Sequence, residues 1–366
     1  MKVESIKFQN FRNLDEFTLI PCDGMNMIYG KNAQGKSNIL EAIWLFCGGH
    51  SFRTYSYKDL VNFESDYARL DCKFFGQERK QRASITIESS KRIIKVNGVE
   101  KKTSSSLIEK FCAVIFSPDN MALITGGPSE RRDFIDSAIC REKKKNALTL
   151  QKYNRLLKQR NALLKELKKS DRQLATLSFW DEQLVILGAE IIRQRMDFVK
   201  MISDKAAIFQ KGISKGREKL SLRYVSSVGA EYKDTEKEIR DKFMFKCKLN
   251  RLSEIYNGST TVGPHRDDIE ILINGKNAKI YGSQGQKRSS VLAIKLAEAA
   301  VLKERMGENP VILFDDVLSE LDNDRQDYLL NELKGCQIFI TCCEKSNKEQ
   351  LNEGKVFHIN SGKIID

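Results

Sequence analysis

Histidine and proline are scarce in this chain of 366 residues, which has three of one and five of the other. His50, His265 and His358 share no ligand spacing with each other or with the cysteines, which argues against a structural metal centre. The nine cysteines (22, 47, 72, 112, 140, 247, 336, 342 and 343) are odd in number and include no Cys-x-x-Cys pair, and the adjacent Cys342 and Cys343 cannot readily bridge. Reduced, buried thiols are therefore expected rather than a disulfide framework. No apolar run approaches the ~18 residues of a membrane span. The N-terminal Met-Lys-Val-Glu-Ser-Ile-Lys-Phe alternates like a strand and lacks the apolar core of a signal peptide. A cytoplasmic protein with no membrane partner is expected. There is also no internal repeat and no low-complexity segment.

The chain is long enough for two domains, and its 41% hydrophobic residues suit a globular core. Its net charge of +13 is segregated: Arg141 to Asn250 carries 27 Lys+Arg against 14 Asp+Glu, a surplus equal to that of the whole chain. A basic segment of this kind suits a polyanion, and nucleic acid is the commonest one; the plainer alternative is a solvated helical face.

From residue 1 to about 135 the pattern is mostly strands. Val3 to Phe8 alternates, and Ala68–Phe75, Ala83–Glu88 and Arg92–Val96, the last followed by Asn97-Gly98, form a hairpin series. Ala113–Phe116 is a short buried strand that stops at Pro118. From Ser129 to about Lys205 proline is absent, and one glycine, Gly188, interrupts long helical stretches. Apolar residues recur there at helical spacing (Tyr153, Leu156, Leu157, Leu163, Leu164, Leu167, then Leu174, Leu177, Trp180, Leu184, Leu187, Ile191), with a polar break at Lys169-Ser-Asp-Arg. Helix is expected to about 210, where Lys211-Gly-Ile-Ser-Lys-Gly ends it, too short for a long coiled coil. Strands return at Asp268–Ile273, Val311–Phe314, Gln337–Thr341 and Val356–Asn360, with a helix at Ser289–Met306. The fold class is α/β: one domain built from both chain ends, 1–135 and 251–366, with a basic, mainly helical domain inserted at 136–250.

Chemistry concentrates at Gly30-Lys31-Asn32-Ala33-Gln34-Gly35-Lys36-Ser37, a complete phosphate-binding loop between an apolar run, Met25–Tyr29, and a helical start at Asn38. The glycines let backbone N–H groups turn toward phosphate oxygens, and the helix dipole adds to the attraction. Lys36 is expected to reach the β- and γ-phosphates, and Ser37 to complete a Mg²⁺ shell. Val311-Ile-Leu-Phe-Asp315-Asp316 ends in two carboxylates. Asp315 suits the metal's water shell and Asp316 the orientation of an attacking water, so Lys36, Asp315 and Asp316 are the candidate catalytic residues. Upstream, Gly282-Ser283-Gln284-Gly285-Gln286 opens a helix whose N-terminus is able to meet a second anion.

Gly-Ser-Gln-Gly-Gln resembles the Leu-Ser-Gly-Gly-Gln signature of ABC-type ATPases, and Ser319-Glu-Leu-Asp322 resembles the loop that this family places across its dimer interface. Ile6-Lys-Phe-Gln-Asn-Phe-Arg12-Asn, Ser51-Phe-Arg-Thr, Phe116-Ser-Pro-Asp119, Gly126-Gly-Pro-Ser-Glu-Arg-Arg-Asp-Phe and Thr261-Val-Gly-Pro-His-Arg-Asp-Asp look like the bacterial RecF family along nearly the whole chain. The resemblance implies an ABC-type, SMC-like P-loop ATPase head with a short helical arm. It also implies an ATP-sandwiched homodimer in which Ser283, Gln284, Gly285 and Gln286 of one copy close on the nucleotide of the other. Single-stranded, duplex and gapped DNA are the implied ligands, and RecO- and RecR-type mediators that help load RecA the implied partners. Arg12 is expected to contact nucleotide phosphates; its other reading is a surface residue at a strand-to-turn bend. Two departures from the ABC pattern suggest slow hydrolysis. No histidine stands near Thr341-Cys342-Cys343, and the second acid is Asp316 instead of a glutamate. A transporter ATPase subunit, a structural SMC-type tether and a P-loop kinase are the alternatives. The basic insert, the short helices and the signature loop count against them respectively.

Overall fold

Strict alternation along Tyr67–Gly76 buries Ala68, Leu70, Cys72 and Phe74 and leaves Arg69 and Lys73 in solvent, the pattern of a sheet with one wet face. The computed structural model describes residues 1–48, 51–54, 56–88, 91–168, 176–343 and 354–365. In it this strand is central to an antiparallel sheet of Phe17–Leu19, Lys2–Gln9, Tyr67–Gly76, Arg79–Glu88, Arg92–Val96 and Val99–Lys101. The expected hairpin turns at Asn97 and Gly98, both at positive φ (51° and 81°), the conformation a two-residue hairpin loop needs.

A second sheet orders Lys363–Ile365, Lys355–Asn360, Met25–Tyr29, Ile338–Cys342, Val311–Asp315 and Ala113–Phe116, parallel except for its terminal hairpin. Ala113–Phe116, Val311–Phe314 and Ile338–Cys342 are buried throughout, as befits parallel strands covered on both faces. Both sheets lie in one compact unit, Met1–Asn120 with Lys295–Asp366. Its core includes Phe46, Phe74 and Phe111 in edge-to-face contact and Phe116 against Phe314.

The other unit is Met121–Ile294, wider at each end than the 136–250 expected of the insert. Among the described residues its long helices include Pro128–Glu142, Lys144–Leu167, Leu177–Ile213 and Glu236–Asn257, and the helix Gln284–Met306 begins in it. Its sheet is the physical reason for the wider bounds. Asp268–Ile273, expected with the chain-end domain, pairs antiparallel with Leu220–Val225, and Asp268 takes a two-pronged ion pair from Arg131. Gly188 does not interrupt its helix. A Cβ there would lie 2.4 Å from Phe243 Cε1, so this glycine permits a close helix–helix approach. The Leu177–Ile213 helix runs slightly past 210 and ends where Lys215 and Gly216 take positive φ. Two other helices also begin before their expected starts, at Lys36 and at Gln284. Arg160 is fully buried between Asp181 and Glu254, which gives its charge the partners that burial requires.

None of the nine cysteines is in a disulfide, but Cys343 is exposed, contrary to the expectation of burial. His50, Leu174 and the Lys169–Arg172 break lie outside the described residues. Among the described residues no cluster of metal-ligating side chains occurs, and no helix is long and apolar enough to cross a membrane.

Candidate nucleotide site

The buried strand Met25–Tyr29 delivers the chain to Gly30, held between Ile338–Cys342 and Lys355–Asn360. Gly30 (φ 156°) has no room for a side chain, since a Cβ would stand 2.2 Å from the Ile359 carbonyl oxygen. Gly35 (φ 103°) caps the helix Lys36–Leu45 with no side-chain acceptor, so the first N–H groups of that helix are left for an anion. Ala33 also takes a positive φ (63°), and its carbonyl accepts from Asn13 Nδ2. The Lys36 ammonium is buried in this curl, 2.6 Å from the Gly30 carbonyl and 2.9 Å from that of Lys31. Cys343 Sγ donates to Asn32 Oδ1 at 3.0 Å, and Gln34 accepts from the backbone N–H groups of Ser361 and Gly362.

The helix then places Ser37 so that its hydroxyl donates to Asp315 Oδ1 at 2.6 Å, across 278 positions of sequence. Thr341, directly opposite Asp315 in the parallel register, donates to the same oxygen at 3.0 Å. Thr341 Oγ1 also accepts from the backbone N–H of Asp316 at 3.0 Å. Asp316 is exposed at positive φ (55°), and Ser319 donates to its carbonyl and carboxylate oxygens. Burial pushes the Cys342 thiol up to about 11, so it stays protonated at neutral pH.

Arg12 is half-buried and held by a partner instead of standing loose on the surface. Its guanidinium makes a two-pronged pair with Glu41, at 2.6 and 2.8 Å, and the Glu41 side chain is fully buried in the phosphate-loop helix. Ser51 donates to Glu41 and Arg53 to Asn38, which ties the Ser51-Phe-Arg-Thr motif to the same helix. The Pro118–Met121 turn leaves Asp119 exposed.

Ser283, Gln284, Gly285 and Gln286 belong to the other unit. The Ser283 hydroxyl accepts from the Gln286 N–H, and the Gln286 side chain accepts from the Ser283 N–H, a reciprocal capping box. Ser283, Gln284 and Gly285 are exposed at the start of a 23-residue helix. The sequence reading missed Glu41 and the two-sided role of Thr341. A buried acid in an apolar helix and a hydroxyl ending an apolar strand were the available signals.

A parallel strand, phosphate loop, acidic strand end and antiparallel side sheet define an SMC-like P-loop ATPase head of the ABC type. Over residues 2–363 the chain matches the RecF/RecN/SMC N-terminal domain. It is 38% identical over 360 residues to the DNA replication and repair protein RecF of Acetivibrio thermocellus, covering 98% of each chain. Identity to the same protein of Caldanaerobacter subterraneus subsp. tengcongensis is 40% over 354 residues, covering 95% and 96%. The solved recombination mediator protein RecF with ATP, of the RecFOR pathway, superposes with a TM-score of 0.93 at 38% identity, over 100% of this chain and 97% of that one. An Smc head from Pyrococcus furiosus, at 19% identity with a TM-score of 0.56 over 100% and 96%, shares the fold alone. The chain belongs to this ATPase family, and within it to the bacterial RecF proteins of DNA replication and repair.

Proposed function

We propose that the protein is an ATP-gated DNA clamp of recombinational repair and replication restart. ATP binding would join two copies on DNA at gaps and single-strand/duplex junctions, and slow, DNA-stimulated hydrolysis would release them. RecO- and RecR-type mediators would act with it in loading RecA, in the cytoplasm. The contact between Ser37 Oγ and Asp315 Oδ1 carries this reading, because it joins the phosphate loop to the acidic strand. Hydroxyl and carboxylate oxygens are hard donors that fit Mg²⁺, and Thr341 steadies the carboxylate from behind. Ser37 and Asp315 would hold the ion, whose charge when bound would offset that of the phosphates.

The chain's own residues divide the remaining work. Lys36 would leave the Gly30 and Lys31 carbonyls for phosphate oxygens, and Gly30 to Gly35 would offer backbone N–H groups. Asp316 would orient water and accept its proton, one methylene shorter than a glutamate and so less able to reach. Arg12 would act by fixing Glu41 and the helix behind the loop; a direct phosphate contact would require it to leave that pair. Ser283, Gln284, Gly285 and Gln286 would meet the partner copy's nucleotide, as exposure of that helix start permits. A long SMC-type tether draws no support from arm helices of at most 37 described residues.

Size-exclusion chromatography with light scattering, run with ATP and with ADP, tests the proposal. Asp316→Asn is expected to accumulate dimers in ATP, whereas Ser283→Arg binds ATP and stays monomeric. An Asp316→Asn protein that binds ATP yet remains a monomer overturns the clamp.

A further inference from the structure

Four large apolar side chains that remain in solvent share one helix of the inserted unit. Phe245, Leu249, Leu252 and Tyr256 are 63%, 64%, 84% and 74% exposed. They lie on Glu236–Asn257, whose other face is occupied by the buried Ile239, Phe243, Cys247 and Glu254. At 100° per residue the four fall within about 60° of arc and run about 16 Å along the axis. Spacings of four, three and four are those of a seam that meets another helix. Exposed apolar residues scattered singly need no account, but a continuous stripe does.

The edges of the stripe are basic. On the same helical wheel Lys242 and Lys246 follow one side and Lys248 the other, and Lys168 of the neighbouring helix sits 5.2 Å from the Tyr256 ring centre. Lys242 is tied to Asp234. On the exposed face acid is confined to the N-terminal turns, at Glu238 and Asp241.

We propose that this face docks a helical segment of another protein, apolar on one side and acidic along both edges. Charge selects this occupant. A second copy would set lysine edges against lysine edges within a segment that already carries a surplus of 13 positive charges. Duplex DNA would satisfy the lysines but offer nothing to four apolar side chains. An anionic membrane would suit both features, but this helix has its other face pinned in the protein core, with Ile239, Phe243 and Cys247 wholly buried, so only a ridge is presented. A ridge with this spacing fits the groove-binding mode of helical peptides.

The test uses the full chain and a fluorescein-labelled synthetic helix, leucines on one face and glutamates flanking them, beside a twin with lysines for glutamates. Anisotropy is expected to give micromolar binding of the acidic peptide that weakens with salt, and binding of the lysine twin at least about tenfold weaker. Leu249→Glu with Leu252→Glu should cost about tenfold or more while melting temperature and ATP binding hold, because both residues are exposed. Lys248→Glu should weaken the acidic peptide alone. Equal binding of the two peptides, or indifference to the double variant, overturns the proposal. So does an ATP-independent dimer, or sedimentation with phosphatidylserine vesicles, that the double variant abolishes; these outcomes assign the face to a second copy or to a lipid surface.

Discussion

The Lys36 ammonium has two carbonyl oxygens in hydrogen-bond reach, those of Gly30 and Lys31, and is buried beside them. A buried charge needs its partners, so the lysine shapes the loop as well as serving it. Lys36→Ala is expected to lower ATP affinity on the order of a hundredfold, about 3 kcal/mol, as the point charge on the phosphates is removed. Isothermal titration checks this, and unchanged affinity would move the nucleotide elsewhere. The loop was legible in sequence because its backbone demands glycine: Gly30 and Gly35 sit at positive φ with no space for a Cβ. Glu41 and Thr341 were not legible. Their roles come from Arg12, 29 positions away, and Asp315, 26 positions away, and no local pattern encodes such partners.

Elements hold the site through interactions that sequence spacing cannot show. Alternation predicts the strand Val356–Asn360, but not the grip that the terminal hairpin Lys355–Ile365 has on the phosphate loop. Its turn places Gly362 (φ 77°) where a Cβ would be 2.0 Å from the Asn13 carbonyl, and the Asn13 side chain holds Ala33 and Asn38. Gly362→Ala should therefore displace Asn13 and reduce ATP affinity about tenfold, besides the roughly 1–2 kcal/mol of left-handed strain. Gly98→Ala is the control: it has the same hairpin conformation with nothing within 4 Å, and should show strain in a thermal melt while ATP affinity stays intact. The Thr261–Asp268 loop makes a different prediction. Burial, with Arg266, Arg132 and Arg160 nearby, pushes the His265 imidazole down to about 4, and it bonds Tyr153 and the Thr260 carbonyl while neutral. The unfolded chain takes up this proton near pH 6.5 and the folded chain near 4, so stability falls as pH falls through that window and is unaffected above it. Across the window the loss is on the order of 3 kcal/mol. Urea melts of wild type and His265→Gln should diverge in slope between those pH values and run parallel above about pH 7; curves parallel throughout would mean the imidazole titrates normally.

At the scale of the molecule, the α/β class, the unit built from both chain ends and the helical insert were all readable from alternation and helical spacing, because those patterns are local. The extent of the insert was not, since the pairing of Leu220–Val225 with Asp268–Ile273 joins segments whose alternation fits either unit equally well. The charge surplus was readable too, and the structure sharpens which lysines can act on it. Lys145 is engaged by Glu190 at 2.9 Å, so its charge is already partly answered. Lys152, Arg155 and Lys158 stand exposed along the Lys144–Leu167 helix. If DNA follows the insert, reversing these three to glutamate should weaken binding and make its salt dependence shallower, by roughly one unit of slope for each phosphate that is no longer neutralised. Reversing Lys145 alone should do less, because its charge is already engaged by Glu190. ATP binding should not change, since the phosphate loop and the acidic strand lie in the other unit. Anisotropy titrations on gapped and duplex DNA across a salt series separate the outcomes. A uniform loss with a reduced slope marks phosphate binding by the insert. An unchanged slope assigns the DNA path to the head and leaves the basic surplus to an acidic protein partner, such as the lysine-edged stripe on Glu236–Asn257 is suited to meet.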